Sequence, residues 1–146
     1  MKSYQRLSGV EYIMLVDDDP ITNYVNQLLL EELGLPKDKI IVTHEVNLAL
    51  KNIEKVQKSL TERQSALVIF LDINMPDKGG FEMLDAIEEM KLPKGQLHIY
   101  LLSSINSPRD QIKAEQYDIR GFIDKPLKEE NVLEILDNIY KLIQQS

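Results

Sequence analysis

Ala66-Leu67-Val68-Ile69-Phe70-Leu71-Asp72 is the stretch that decides the fold. Its apolar residues do not alternate with polar ones, so Leu67 to Leu71 reads as a strand covered on both faces. It is the longest purely apolar run in the chain, yet far short of the ~20 residues a membrane-spanning helix needs. A strand buried on both sides needs helices above and below it. The rest of the sequence should therefore supply them.

Upstream, Tyr12 to Val16 is a short apolar run that ends in Asp17-Asp18-Asp19, and it reads as a first strand. Asp19-Pro20 opens a helix, Asp as N-cap and Pro at the first helical position. Ile21, Val25, Leu28, Leu29 and Leu33 follow at helical spacing, and Gly34 stops the run before Pro36. Lys39 to Thr43 is a second, β-branched strand, and Val46, Ala49, Leu50, Ile53, Val56 and Leu60 mark a second helix. Lys55 to Ser65 is polar enough to be a loop or a solvated helix end.

Downstream the pattern repeats. After a turn at Pro76 to Gly80, Leu84, Ile87 and Met90 define a third helix. His98 to Leu102 is a fourth strand, and Pro108 to Gln116 a helix whose apolar stripe is thin, little more than Ile112 and Ala114. Gly121 to Ile123 is a short fifth strand. The last helix carries Val132, Leu136, Ile139, Leu142 and Ile143 on one face. Five strand–helix pairs with short connections imply an α/β fold: a doubly wound, five-stranded parallel sheet with five helices in three layers. We expect one domain over residues 1–146, its core at about 11–143, with no output domain.

Composition narrows the function. The 146 residues carry 17 Lys and Arg against 24 Asp and Glu, a net charge of -7, which disfavours a general nucleic-acid binder. With no Cys and two His, disulfide frameworks, thiol catalysis and the usual zinc sites are excluded. The polar first dozen residues lack the apolar core of a signal peptide, and a cytoplasmic location is expected. His44 and His98 stand at strand ends without a metal-ligand pattern and read as structural or exposed.

In an open α/β sheet, ligands bind beyond the carboxyl ends of the strands. Those ends hold Asp17, Asp18 and Asp19, then Asp72, Ser103 with Ser104, and Lys125. Clustered carboxylates repel and raise one another's pKa, so the cluster makes sense if it binds a divalent cation. All-oxygen donors favour magnesium, or manganese, over zinc or copper. Asp19 is assigned to the helix cap, Asp124 and the Gly79-Gly80 pair to turns.

Leu15-Val16-Asp17-Asp18-Asp19-Pro20, Leu71-Asp72-Ile73-Asn74-Met75-Pro76 with Gly80 beyond, Leu102-Ser103-Ser104 and Asp124-Lys125-Pro126 together resemble the receiver domain of two-component response regulators. The resemblance runs in order through essentially the whole chain. It implies the flavodoxin-like strand order 2-1-3-4-5 and a phosphoryl-accepting Asp72, supplied by a sensor histidine kinase or a histidine phosphotransfer protein. It implies metal ligation by Asp17, Asp18, Asp72 and the backbone carbonyl of Asn74. It also implies a phosphate-pairing Lys125, a switch hydroxyl on Ser103 and a switch aromatic at Phe122, where many members have Tyr. The chain would then be no enzyme beyond its own phosphorylation and dephosphorylation. Its signal would leave through the face formed by the fourth helix, fifth strand and last helix, toward an unnamed protein target or a second copy of itself, with no nucleic acid and no membrane as partner.

Three other readings compete. A phosphatase resembling the haloacid dehalogenase group would use Asp17 as nucleophile and Asp19 as acid/base, but needs a further acidic pair that the later strands lack. A flavodoxin-like cofactor binder would need a hydroxyl- and Gly-rich cradle where three aspartates stand. A pseudo-receiver that only binds partners is disfavoured by the intact acidic site.

Overall fold

Each apolar run becomes a strand, and the strands come to lie side by side in one direction. In the computed structural model, which describes residues 9–60, 66–75, 79–93, 95–104 and 107–144, these are β1 (Val10–Val16), β2 (Ile40–Thr43), β3 (Ala66–Asp72), β4 (Leu97–Ser103) and β5 (Gly121–Asp124). They form one parallel sheet in the order β2-β1-β3-β4-β5, the expected doubly wound topology. The helices are α1 (Pro20–Glu32), α2 (Val46–Gln57), α3 (Gly80–Met90), α4 (Pro108–Ala114) and α5 (Glu129–Gln144). A short 3-10 turn at Lys37–Lys39 leads into β2.

All seven residues of β3 are buried, as an unalternating apolar run requires. Its side chains divide by parity between two cores. Leu67, Ile69 and Leu71 join Met14 and Val16 beneath α2 and α3, while Val68 and Phe70 join Ile13 and Leu15 beneath α1 and α5. Sheet register then aligns the strand ends: Val16 pairs with Thr43 and Leu71, Asp72 with Leu102, and Ser103 with Asp124. The residues that follow these positions share one edge.

Helix α1 departs from the simplest reading of its stripe. Asp19 caps it and Gly34, at φ 101°, ends it as expected. Leu29 and Leu33 pack on the core. However, Ile21 (72% exposed), Val25 (54%) and Leu28 (41%) face outward with Tyr24 (62%), while Asn23, Asn26 and Leu30 turn inward. Asn23 there donates to strand-end carbonyls, which an aliphatic side chain cannot do.

Helix α4 is even more weakly anchored than its sequence suggests. Ile112 is exposed, leaving Ala114 as its buried residue. Contacts to α3 supplement it: Lys113 Nζ lies 4.5 Å from the Phe81 ring centroid, Phe81 stacks at a tilt on Tyr117, and the Tyr117 hydroxyl donates to Asp85 at 2.7 Å. The polar stretch after Lys55 is helical as far as Gln57, and Leu60 folds back into the core. Its remaining residues, 61–65, lie outside the described residues, as does most of the turn from Pro76.

Candidate functional site

The site is assembled from groups that each end a strand. Asp17 leaves β1 with its N–H donated to the Thr43 carbonyl at 3.2 Å, so the ends of β1 and β2 are tied. Its Oδ1 accepts from the Asp19 N–H at 2.9 Å. Asp19 in turn accepts from the Ile21 N–H at 3.0 Å and the Thr22 hydroxyl at 2.8 Å, and these bonds, that from Thr22 foremost, hold its pKa below the ordinary value. The expected cap is confirmed. Asp18 between them is exposed, and among the described residues its carboxylate has no hydrogen-bond or ionic partner.

Asp72 ends β3, and its Oδ1 accepts from the Asn74 N–H at 3.0 Å. Lys125 follows β5, pinned by its own N–H to the Ser103 carbonyl at 2.8 Å. Its Nζ lies 2.9 Å from Asp17 Oδ2 and 3.3 Å from Asp72 Oδ1, bridging carboxylates from two strands. Burial works against the Lys125 ammonium, but the Asp17 and Asp72 carboxylates outweigh it and raise its pKa. Burial pushes the Asp72 carboxyl up. The Asn74 N–H and Lys125 pull against that push, and the Asp17 charge adds to it.

Asp17, Asp18 and Asp72 each present a carboxylate oxygen within 4.8 Å of the others. One ammonium against three carboxylates leaves the pocket two positive charges short of neutral. A hard divalent cation has that charge and prefers such oxygens, so the residues fit one.

Ser103 is buried, and its hydroxyl lies 3.4 Å from the Asn74 side-chain oxygen, placing it at the rim of the cluster. Phe122 stands apart: it is half-buried and packs against the core beneath α2 and α3. The sheet thus gathers Asp17, Asp18, Asp72 and Lys125, sets Ser103 beside them and leaves Phe122 behind.

Two contributors escape a reading by motif. Asn23, 1% exposed, donates from Nδ2 to the Asp17 carbonyl at 2.9 Å and the Thr43 carbonyl at 3.1 Å, with His44 Nδ1 also 2.9 Å away. The available signal was its placement opposite the apolar stripe, in the turn of α1 nearest the strand ends. Gly80 is the second. A Cβ there would sit 2.8 Å from Ile73 Cα and 3.1 Å from the Asp72 carbonyl oxygen, so only glycine lets α3 start against the end of β3.

A doubly wound sheet with its charged groups converged on one strand edge defines a class of α/β ligand-binding domain. The family follows from comparison with known proteins. Residues 13–137 match the response regulator receiver domain, and the chain belongs to that family, a family of signalling modules rather than metabolic enzymes. It is 29% identical to the two-component response regulator ORR1 of Oryza sativa subsp. japonica, over 85% of this chain and 53% of that one. A two-component response regulator from Cytophaga hutchinsonii is 28% identical, with a TM-score of 0.73 over 92% of this chain and 97% of that one. The chemotaxis protein CheY4 of Vibrio cholerae, at 22% identity, shares the fold with a TM-score of 0.70, over 89% of this chain and 98% of its own. The chain spans about half the length of the first curated relatives it matches. Among the described residues, no helix is long and apolar enough to cross a membrane.

Proposed function

We propose that the chain accepts a phosphoryl group on Asp72 from the phosphohistidine of a kinase or phosphotransfer protein, in a magnesium-dependent reaction, and changes its binding surface as a result. The observation that carries this reading is the Lys125 ammonium set between Asp17 and Asp72. It leaves Asp72 Oδ2 without a hydrogen bond among the described residues, whereas both oxygens of Asp17 are engaged.

Asp72 Oδ2 attacks phosphorus in line with the bond to the donor imidazole. The O–P bond forms as the P–N bond breaks, and the ring leaves with that electron pair. Lys125 offsets the like-charge repulsion between carboxylate and phosphoryl oxygens. Asp17, Asp18, Asp72 and the Asn74 carbonyl would hold magnesium, which when bound would supply the remaining charge neutralisation. Ser103 then donates its hydroxyl to the new phosphate, and Phe122 follows it inward. The face of α4, β5 and α5 is the output surface, for a target protein or a second copy.

The donor approaches over α1. The exposed Ile21, Tyr24, Val25 and Leu28 begin two residues beyond the acidic triplet, in the turns of α1 that follow the site. A phosphatase acting through Asp17 is not favoured. Asp17 is bonded to Lys125 and the Asp19 N–H, and Asp19 caps α1. Incubation with acetyl phosphate and magnesium, followed by mass spectrometry, should place one phosphoryl group on Asp72, and Asp72→Asn should abolish it. Label on Asp17 with Asp72 unmodified would overturn the assignment.

A further inference from the structure

Among the three acids the supports are unequal. Asp17 is held through its side chain by Lys125 and the Asp19 N–H, and Asp72 by Lys125 and the Asn74 N–H. Asp18 has no such hold among the described residues, so its carboxylate is placed by its backbone alone. The peptide plane joining Asp17 to Asp18 sets that backbone, and its carbonyl is the one that accepts from Asn23 Nδ2 at 2.9 Å.

We propose that Asn23 is a positioning residue for the cation site, orienting Asp18 by fixing the Asp17–Asp18 peptide plane; this rests on the receiver reading. The same amide nitrogen reaches the Thr43 carbonyl at 3.1 Å, so the plane is referenced to β2 as well as to α1. His44 Nδ1 lies 2.9 Å from the same nitrogen, on the outer side. The amide cannot turn over, because that would set its oxygen against two carbonyls. Its own Oδ1 is buried and unpartnered. A buried acceptor left unpaired is unfavourable, and an aliphatic side chain of the same shape would avoid it. Asn at this position is explained by where its hydrogens point. Neighbouring Asn26 is also buried on this helix face, one turn further from the strand ends, and serves as an internal control.

Removing an outer-shell group that orients a metal ligand typically lowers affinity about 10–100-fold. The test measures manganese affinity by electron paramagnetic resonance of the free ion, without reference to phosphorylation. Asn23→Leu keeps the shape and removes the donors, and Asn23→Gln keeps the amide but displaces it; both should lose affinity in that range. Asn26→Leu should stay within about twofold of the native chain. In metal-free buffer Asn23→Leu should also speed amide exchange at Asp17 to Asp19. In the native chain the Asn23 side-chain NH2 signals should exchange slowly and shift with magnesium at the site's own dissociation constant. An affinity within twofold in both Asn23 variants overturns the proposal. So does a native NH2 pair exchanging at solvent rate, which settles the matter even where the variants fail to fold. Asp18→Ala separates the two levels. If it leaves manganese affinity unchanged, the receiver reading of the site fails, whereas a loss in Asp18→Ala with none at Asn23 sinks this inference alone.

Discussion

The two sides of the sheet edge are built differently. On the β1–β2–β3 side, loops are tied by hydrogen bonds: Asp17 to Thr43, Asn23 to both in the interior, and Asp72 to Asn74 at a half-buried position. On the β4–β5 side, α4 buries Ala114 and is otherwise held to α3 by a ring stack, a lysine over a ring and a partly exposed hydroxyl. Local opening is easiest where few buried contacts oppose it. A domain that must bind a charged group in fixed geometry and then report it gains from having both kinds of region. The first holds the chemistry still, and the second can move.

The largest effect should come from the tied side. Magnesium at a hundredfold excess over its dissociation constant should add ~2.7 kcal/mol of stability. Asp18→Ala should remove most of that gain in thermal melts. Amide exchange should slow around Asp17 to Asp19 with the metal alone and change over Pro108–Ala114 only when a phosphate mimic is added. An equal response of α4 to bare metal would break the comparison.

Next comes the joint between the two sides. Gly80→Ala forces a Cβ onto the Ile73 backbone. We expect a loss of about 1–3 kcal/mol in denaturant unfolding, together with weaker cation binding, as the end of β3 is displaced.

A smaller effect concerns pH. Burial, with Arg120 adding to it, holds the His98 pKa below 6.5, while Gly95 and Asp118 pull the other way. The unfolded chain therefore binds the proton first, and stability should fall as pH drops below about 6.5, the penalty being complete below the folded value. His98→Phe should flatten that part of the curve measured between about pH 7.5 and about pH 5.5.

The smallest effect is on the loose side. The Asp85 hydrogen bond keeps the Tyr117 proton in place, with burial adding to it, and raises its pKa to about 12. Ultraviolet titration of Asp85→Ala should return that tyrosine toward 10.0. Tyr117→Phe should cost only about 0.5–1 kcal/mol yet speed exchange over α4. No change in α4 exchange would show that the clamp to α3 is not what holds it.

The sequence made the sheet legible because β3 is apolar without interruption, and burial on both faces leaves no other pattern. The four charged groups were legible for a related reason: each stands within two residues of the end of an apolar run, and a parallel sheet brings all such ends to one edge. The inward face of α1 was not. Helical spacing identifies a stripe but not the side it faces, and here a polar side turned in, with Asn23 donating to the carbonyls of Asp17 and Thr43. Gly80 was read as a turn for similar reasons. Its close neighbour is the backbone at the end of β3, and which loop packs on which strand end is settled in three dimensions.

The outward stripe of α1 has a consequence for how such a protein can diverge. Ile21, Tyr24, Val25 and Leu28 contribute little to the interior, so their replacement is nearly neutral for folding. Asn23, in the same two turns, is committed to the acids. If the donor docks on this stripe as proposed, mutation there changes which donor is recognised and leaves Asn23 and the acids in place. Duplicated copies of the gene could part company in specificity within a few substitutions, on one side of a single helix.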